Sequence, residues 1–234
     1  MNKQLLESGF SHFGLKLTEK MAKGFEEYMH LLLLWNQKIN LTRIVEPDEV
    51  VLKHFIDSVS CAPHIKPEAS LIDVGSGAGF PGLPLKIARE DIRVTLLDSL
   101  AKRTVFLDEV INTLSLGSVE TIHFRAEDGG RSPLYREKFD VATARAVANL
   151  SVLCEYCMPF VKVGGIFIGF KGRDVQSEIL QSKNAVKTLG GEIVDVCEVF
   201  FGGMEHNLII IKKIAPTPAK YPRKAGNAAK NPII

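Results

Sequence analysis

Leu71-Ile72-Asp73-Val74-Gly75-Ser76-Gly77-Ala78-Gly79-Phe80 reads as a short apolar strand ending in an acid and a glycine-rich turn. Val94-Thr95-Leu96-Leu97-Asp98 reads as a second apolar strand, again ending in an acid. Gly75, Gly77 and Gly79 remove Cβ atoms where the backbone must turn sharply and approach a ligand. The helix expected after Pro81 presents unpaired N–H groups toward the same place. Asp98, ending its strand, is placed to accept hydrogen bonds from ribose hydroxyls. A glycine loop after one strand and an acid closing the next outline a nucleotide-type cofactor site at the carboxyl edge of a parallel sheet.

Working outward, strands are expected at 71–74, 94–98, 119–124, 139–143, 164–170, 191–200 and 207–213, with helices near 82–90, 100–116, 149–160 and 174–189. Such alternation implies a parallel sheet with right-handed crossovers and helices on both faces. Only Phe201-Gly202-Gly203-Met204 and its neighbours separate the last two strands, which leaves room for a hairpin and not for a helix. Seven strands ending in an antiparallel hairpin resemble the class I methyltransferase fold, a Rossmann-like, mostly parallel sheet. Ahead of it, residues 1–66 read as a helical region. Thr18 caps a helix with Met21, Phe25, Tyr28, Met29, Leu32 and Trp35 at three- and four-residue steps. Pro47 suits the first turn of a second helix, with Val50, Val51, His54, Phe55 and Val59 inward. The main domain is expected over 67–214. Residues 215–234, with Pro216, Pro218, Pro222 and Pro232 and no periodicity, read as an extended or mobile tail.

Composition narrows the class. The chain has 234 residues, 46% apolar and 24% charged, as in an ordinary soluble globular protein. No basic segment leads into a sustained apolar run near Met1, and the apolar cluster Leu31 to Trp35 is too short to span a bilayer, so a cytoplasmic protein without membrane contact is expected. Cys154 and Cys157 form a CxxC pair, but no second matched pair of zinc ligands is near and the pair falls late in a helix. Buried structural thiols and no metal are therefore expected. The net charge of +2 hides an asymmetry. No acid follows Glu205, whereas Lys212, Lys213, Lys220, Arg223, Lys224 and Lys230 do, so the body carries about −4 and the tail +6. A basic tail on an acidic body suits a polyanionic partner or serves only solubility. No apolar helix is left over, which points to a monomer.

Two cofactors fit the loop. Gly77-Ala78-Gly79-Phe80-Pro81-Gly82 satisfies the dinucleotide pattern, with Asp98 about 20 residues on. The strand ends at Val74, however, so the turn starts at Gly75 and its third glycine falls at Gly79. Asp73 also stands where dinucleotide folds usually carry an apolar residue, and its carboxylate can serve the ammonium group of S-adenosylmethionine. The register thus favours S-adenosylmethionine over NAD. Of the acceptors, amine methylation is disfavoured because Thr143-Ala144-Arg145-Ala146 replaces the Asn/Asp-Pro-Pro-aromatic motif. Pyrimidine C5 chemistry is disfavoured because Cys157 lacks the Pro-Cys order. A ring nitrogen with its own lone pair, such as guanine N7, needs no general base.

Asn40-Leu41-Thr42, His54-Phe55-Ile56-Asp57-Ser58, Asp73 to Gly82, Leu97-Asp98-Ser99-Leu100-Ala101-Lys102-Arg103, Arg145-Ala146 and Lys171-Gly172 occur in one order. In this the chain resembles the small-subunit ribosomal RNA methyltransferase G group, also called the glucose-inhibited division protein B family, over almost its whole length. The segment Lys220-Tyr221-Pro222-Arg223-Lys224-Ala225-Gly226 is similar to the tail of its Gram-positive branch. The resemblance implies methyl transfer from S-adenosylmethionine to N7 of one guanine in a decoding-region loop of 16S rRNA, on naked RNA or on a 30S particle. Two alternatives on the same fold are a small-molecule methyltransferase and an RNA-binding protein with a vestigial pocket. The basic tail argues against the first, and the intact glycine loop with Asp98 against the second.

Carried over, the resemblance implies cofactor contacts at Gly75, Phe80, Ala126, Glu127 and Arg145, beside Asp73, Gly77, Gly79 and Asp98 from the loop reading. Phe80 would pack near the methionine moiety and Ala126-Glu127 would meet the adenine. Arg145, ending the fourth strand, would face the transfer position and orient cofactor and target. Lys171, Arg173, Lys102, Arg103, Lys220, Arg223 and Lys224 are the candidate RNA-facing cations. The family commonly has Glu-Arg before the last strand where this chain has Glu205-His206. A permanent bidentate cation thus becomes a titratable ring. His54 and Asp57, three apart on a helix, suit metal or acid–base work less well than a hydrogen-bonded pair fastening the N-terminal helices to the sheet.

Overall fold

The computed structural model describes residues 1–145 and 148–234. Asn2 and Thr18 each accept a backbone N–H and start α1 (Lys3–His12) and α2 (Glu19–Asn36). Pro47 opens α3 (Pro47–Val50), which continues through a π-helical turn (Val51–Ile56) into α4 (Asp57–Val59). The strand–helix alternation then follows: β1 (Ser70–Val74), α5 (Gly82–Ala88), β2 (Arg93–Asp98), α6 (Ala101–Thr113), β3 (Val119–His123), α7 (Ala126–Gly129), β4 (Phe139–Arg145), α8 (Leu150–Cys157), β5 (Val161–Lys171), α9 (Gln176–Thr188), β6 (Gly191–Phe201), β7 (Met204–Lys213) and a last turn, α10 (Asn227–Lys230).

The seven strands form one sheet in the order β3-β2-β1-β4-β5-β7-β6. β1 to β5 run parallel, and β7 is antiparallel to both neighbours. The β6–β7 hairpin turns on Gly202 (φ 57°) and Gly203 (φ 82°), a double left-handed step that favours glycine. Both strands run further into the turn than expected.

Two-residue alternation separates two cores. Leu71, Val141, Ile168 and Ile210 face the side covered by α1, α2, the 47–59 helix, α5 and α6. Ile72, Ala142, Phe167 and Ile209 face the side covered by α8 and α9. The order reverses between β1 and β4, which opens a crevice at their carboxyl ends. Cys61, Cys154 and Cys157 are buried free thiols pushed upward in pKa by burial, and Cys197 is half-buried.

The tail departs from expectation. Instead of extending away, residues 215–230 lie against the body. Thr217, Tyr221 and Ala228 are buried. Arg136 donates from Nη1 to Tyr221 O (2.8 Å) and from Nη2 to Thr217 O (2.7 Å). The Glu155 carboxylate, itself buried, accepts from both the backbone N and the guanidinium of Arg223. Proline and low periodicity removed helix and strand signals, but these backbone carbonyls found fixed donors on the body.

Candidate active site

The glycine loop is held from two sides. Gly75 N and Ser76 N donate to Leu97 O at 2.8 and 3.0 Å, and Gly77 N donates to Asp98 Oδ2 at 2.8 Å. From behind, the Tyr28 hydroxyl on α2 donates to Ala78 O. Gly75 (φ 76°) and Gly77 (φ 60°) adopt backbone that side chains disfavour, and a Cβ on Gly77 would meet no atom closer than Gly75 O at 3.9 Å. A bare peptide face is thus turned to open space.

That space is a cavity of about 540 Å³ at the β1–β4 crevice, of a size suited to a small organic ligand. The loop, Phe80 and Asp98 form one side. Phe124, Ala126 and Glu127 after β3, with Gly226 of the tail, form another, and Thr42, His54 and Arg145 complete it. A second cavity of about 420 Å³ lies among α2, α5 and the loop before β3, at the opposite edge of the sheet. Lys20 there is already paired with Glu90.

At the far wall the Arg145 guanidinium lies 4.9 Å from the Phe80 ring centroid. Its Nη1 donates to Asp57 Oδ2 (2.6 Å) and to Lys53 O (3.0 Å), and its Nη2 contacts His54 Nδ1 at 3.3 Å. His54 stacks on Phe80 with centroids 4.4 Å apart, and its Nε2 meets the Thr42 hydroxyl at 2.8 Å. Burial first, then the Arg145 charge, push the His54 ring down to about 4, so it is neutral at physiological pH. Burial works to raise the Asp57 carboxyl, but His206 and Arg145 outweigh it and hold it below the ordinary value. His206 stacks on Phe170, with Nε2 2.9 Å from Asp57 Oδ1 at an angle poor for hydrogen bonding.

The comparisons with known proteins agree on one family. The profile described as rRNA small subunit methyltransferase G matches residues 21–208. The chain is 52% identical over 233 residues to the Clostridium beijerinckii protein named Ribosomal RNA small subunit methyltransferase G, covering 98% of each. It is 52% identical over 234 residues to the Acetivibrio thermocellus protein of that name, covering 99% of this chain and 96% of the other. The chain belongs to the rRNA small subunit methyltransferase G family. Solved structures at low identity show the same fold. An Aquifex aeolicus SAM-dependent methyltransferase gives a TM-score of 0.55 at 19% identity, covering 72% of this chain and 94% of its own. M. jannaschii TYW2, solved with AdoMet, gives 0.54 at 16%, covering 68% and 76%. The class I methyltransferase fold expected from the strand pattern is the one found.

Of the expected cofactor contacts, Gly75, Phe80, Ala126, Glu127 and Arg145 from the resemblance and Gly77 and Asp98 from the loop reading all line one cavity. Asp73 and Gly79 are not among its lining residues. Asp73 is fully buried, with Oδ2 accepting from Gly82 N and Oδ1 from the Thr143 hydroxyl, so it ties β1 to α5 and β4. Burial pushes it up to about 6. A Cβ on Gly79 would lie 2.5 Å from Leu83 Cδ1 and 2.7 Å from the Tyr28 hydroxyl, so that glycine serves packing. Ala146 lies outside the described residues.

Several expected RNA cations are committed to the body. Arg103 binds Asp98 (3.2 Å), Lys171 binds Ala148 O (2.8 Å) and Glu178 (2.6 Å), and Arg223 binds Glu155. Lys102, Lys220 and Lys224 are exposed, and Arg173 is exposed while paired with Glu205. His206 lies within β7, not before it, and its ring faces Asp57. His54 and Asp57 both tie the helices to the sheet through Arg145 on β4, and not through each other. Sequence reasoning missed Tyr28, read as core, and Gly226, read as tail. Only their chain-distant contacts reveal them.

Proposed function

We propose that this chain transfers the methyl group of S-adenosylmethionine to N7 of a guanine in 16S rRNA, as a cytoplasmic monomer. The observation that carries the reading is the cavity built by Gly75, Gly77, Asp98 and Ala126-Glu127, in a chain about half identical to Ribosomal RNA small subunit methyltransferase G proteins over nearly their full length. No helix among the described residues is long and apolar enough to cross a membrane.

S-adenosylmethionine supplies a sulfonium-activated methyl group. The bare loop peptides and Phe80 bind and orient it, with Asp98 beside its ribose. The Asp98 oxygens already accept Gly77 N and Arg103 Nη1 on Oδ2 and Leu100 N on Oδ1, which leaves about one lone-pair site, on Oδ1, for a hydroxyl. Ala126 and Glu127 bound the adenine end. Arg145 orients cofactor and target, and its contact with Phe80 keeps water from that face. His54 is a weak base at neutral pH, and Asp98 and Glu127 are occupied by backbone donors. Such a wall suits an acceptor that loses no proton, as a purine ring nitrogen does. A base inside a helix must be unstacked to reach it.

The test incubates the protein with labelled S-adenosylmethionine and 30S subunits or 16S rRNA from a strain lacking this gene, then maps the label. Label on one guanine N7 is expected. No transfer to RNA, or transfer to a metabolite, would defeat the reading.

A further inference from the structure

Residues 51–57 bring two oxygen acceptors and an imidazole nitrogen to one side chain from a distant part of the sequence. The chain passes from the π-helical turn into α4 at Asp57. π-helical turns are rare and gather at functional sites. From this stretch Lys53 O, His54 Nδ1 and Asp57 Oδ2 all converge on the guanidinium of Arg145, at 3.0, 3.3 and 2.6 Å. The Asp57 and Arg145 side chains are 12% and 14% exposed. The guanidinium is planar and its donors point in fixed directions, so two oxygen acceptors on Nη1, with the His54 ring against Nη2, specify its plane as well as its place. That plane sits over Phe80, on the cavity wall. The second oxygen of Asp57 faces His206 on β7 at 2.9 Å, without hydrogen-bond geometry.

We propose that Asp57 is a positioning residue for methyl transfer: with Lys53 O and His54 it fixes the plane of the Arg145 guanidinium against Phe80 at the reacting end of the cavity. The N-terminal helical region is thereby part of the active site and not only a cover for the sheet. This rests on the reading of Arg145 as the group that orients cofactor and target. Among the described residues no hydrogen bond or ion pair joins Asp57 to the glycine loop, Asp98 or Glu127, and Asp57 does not line the cavity, so cofactor affinity is set largely elsewhere.

Asp57→Asn keeps the shape and removes the charge. It is expected to lower kcat at least about tenfold, since small misplacements at a reacting centre are costly, while the dissociation constant for S-adenosylmethionine stays within roughly threefold. Arg145→Lys keeps the charge but loses the planar fork, and is expected to lose kcat to a similar degree whether or not Asp57→Asn folds well. Asp57→Asn placed on Arg145→Ala should add nothing further, as expected of residues acting as one unit. A second readout does not depend on RNA. In nitrogen-resolved NMR of the wild type, Arg145 should show separate, slowly rotating Nη signals, assigned by their loss in Arg145→Ala. In Asp57→Asn they should merge into the averaged signal of a free arginine. Unchanged Nη signals or full activity in Asp57→Asn, full activity in Arg145→Lys, or additive losses in the double variant would overturn the proposal. If the wild type labels no RNA, the functional reading fails while the NMR comparison still decides the positioning role.

Discussion

His54 carries its consequences in its charge state. Its ring is pushed down to about 4 by burial and by Arg145, from an ordinary 6.5. Between these values the unfolded chain binds a proton that the folded chain does not. The slope of unfolding free energy with pH is then positive, so this contribution is present above about pH 6.5 and is lost as pH falls toward 4. At 1.36 kcal/mol per unit the full loss is on the order of 3 kcal/mol. Asp73, pushed up to about 6, works in the opposite sense over much of the same range, so the whole protein's pH profile would hide the effect. The difference between wild type and His54→Gln isolates it, because every other group titrates in both. Urea midpoints at steps from pH 7 to 4 should show wild type losing stability relative to the variant. A difference that stays flat with pH would show the ring to be ordinary.

At the scale of elements, the glycines of one short segment divide their work. A Cβ on Gly77 meets open cavity, whereas a Cβ on Gly82 would lie 2.4 Å from Leu96 Cδ2 and 3.1 Å from Asp73 Oδ2, where α5 is pressed on the sheet. Gly77→Val should therefore weaken S-adenosylmethionine binding at least about tenfold by blocking the bare peptide face, with a modest stability loss from its φ of 60°. Gly82→Ala should cost about 1–3 kcal/mol of stability by overpacking, with the remaining folded protein still binding. Calorimetric titration and thermal unfolding of both variants check the division, and the reverse pattern would refute it. The same segment shows what the sequence could reveal. Strands such as β1 and β7 were legible because unbroken apolar runs like Leu71-Ile72 or Ile209-Ile210 report two buried faces directly. The direction of a polar side chain at a strand end was not. Asp73 and Asp98 look alike in sequence, yet Thr143 and Gly82 N claim the first and the second borders the cavity. The π turn was also illegible, because the apolar spacing of Val51, Phe55 and Val59 suits an ordinary helix equally well. Its link to Arg145 was hidden as well, because that residue lies 88 positions from Asp57. Glu127 emerged only through family resemblance, since an acidic pair after a strand carries no signal of its own.

For the whole molecule the decisive correction is the C-terminal segment. Its charge excess suggested a loose polycation, but its residues divide into anchors and exposed cations. Arg223 satisfies buried Glu155, Thr217 joins Lys213 and Glu137, and Gly226 N donates to Glu127 Oε1 at 2.9 Å on the cavity wall. The fully buried Lys213 donates to Met158 O and to the Thr217 hydroxyl, both at 2.6 Å, and burial pulls it down to about 8. Cutting after Ile214 would strip partners from Glu155, Lys213 and Arg136 together. Each buried polar group left unpaired costs about 1–3 kcal/mol, so truncation should lower stability by several kcal/mol and confound any RNA measurement. The informative variant for RNA is Lys220→Ala with Lys224→Ala. Both lysines are exposed, and Lys220 lies over the Tyr221 ring face at 5.2 Å. Each phosphate contact contributes roughly one unit to the slope of log affinity against log salt. The double variant should therefore keep the wild-type melting temperature while its salt slope on 30S subunits falls by about one to two. An unchanged slope with intact folding would place the RNA interface elsewhere, and Lys102 on α6 would be the next cation to test.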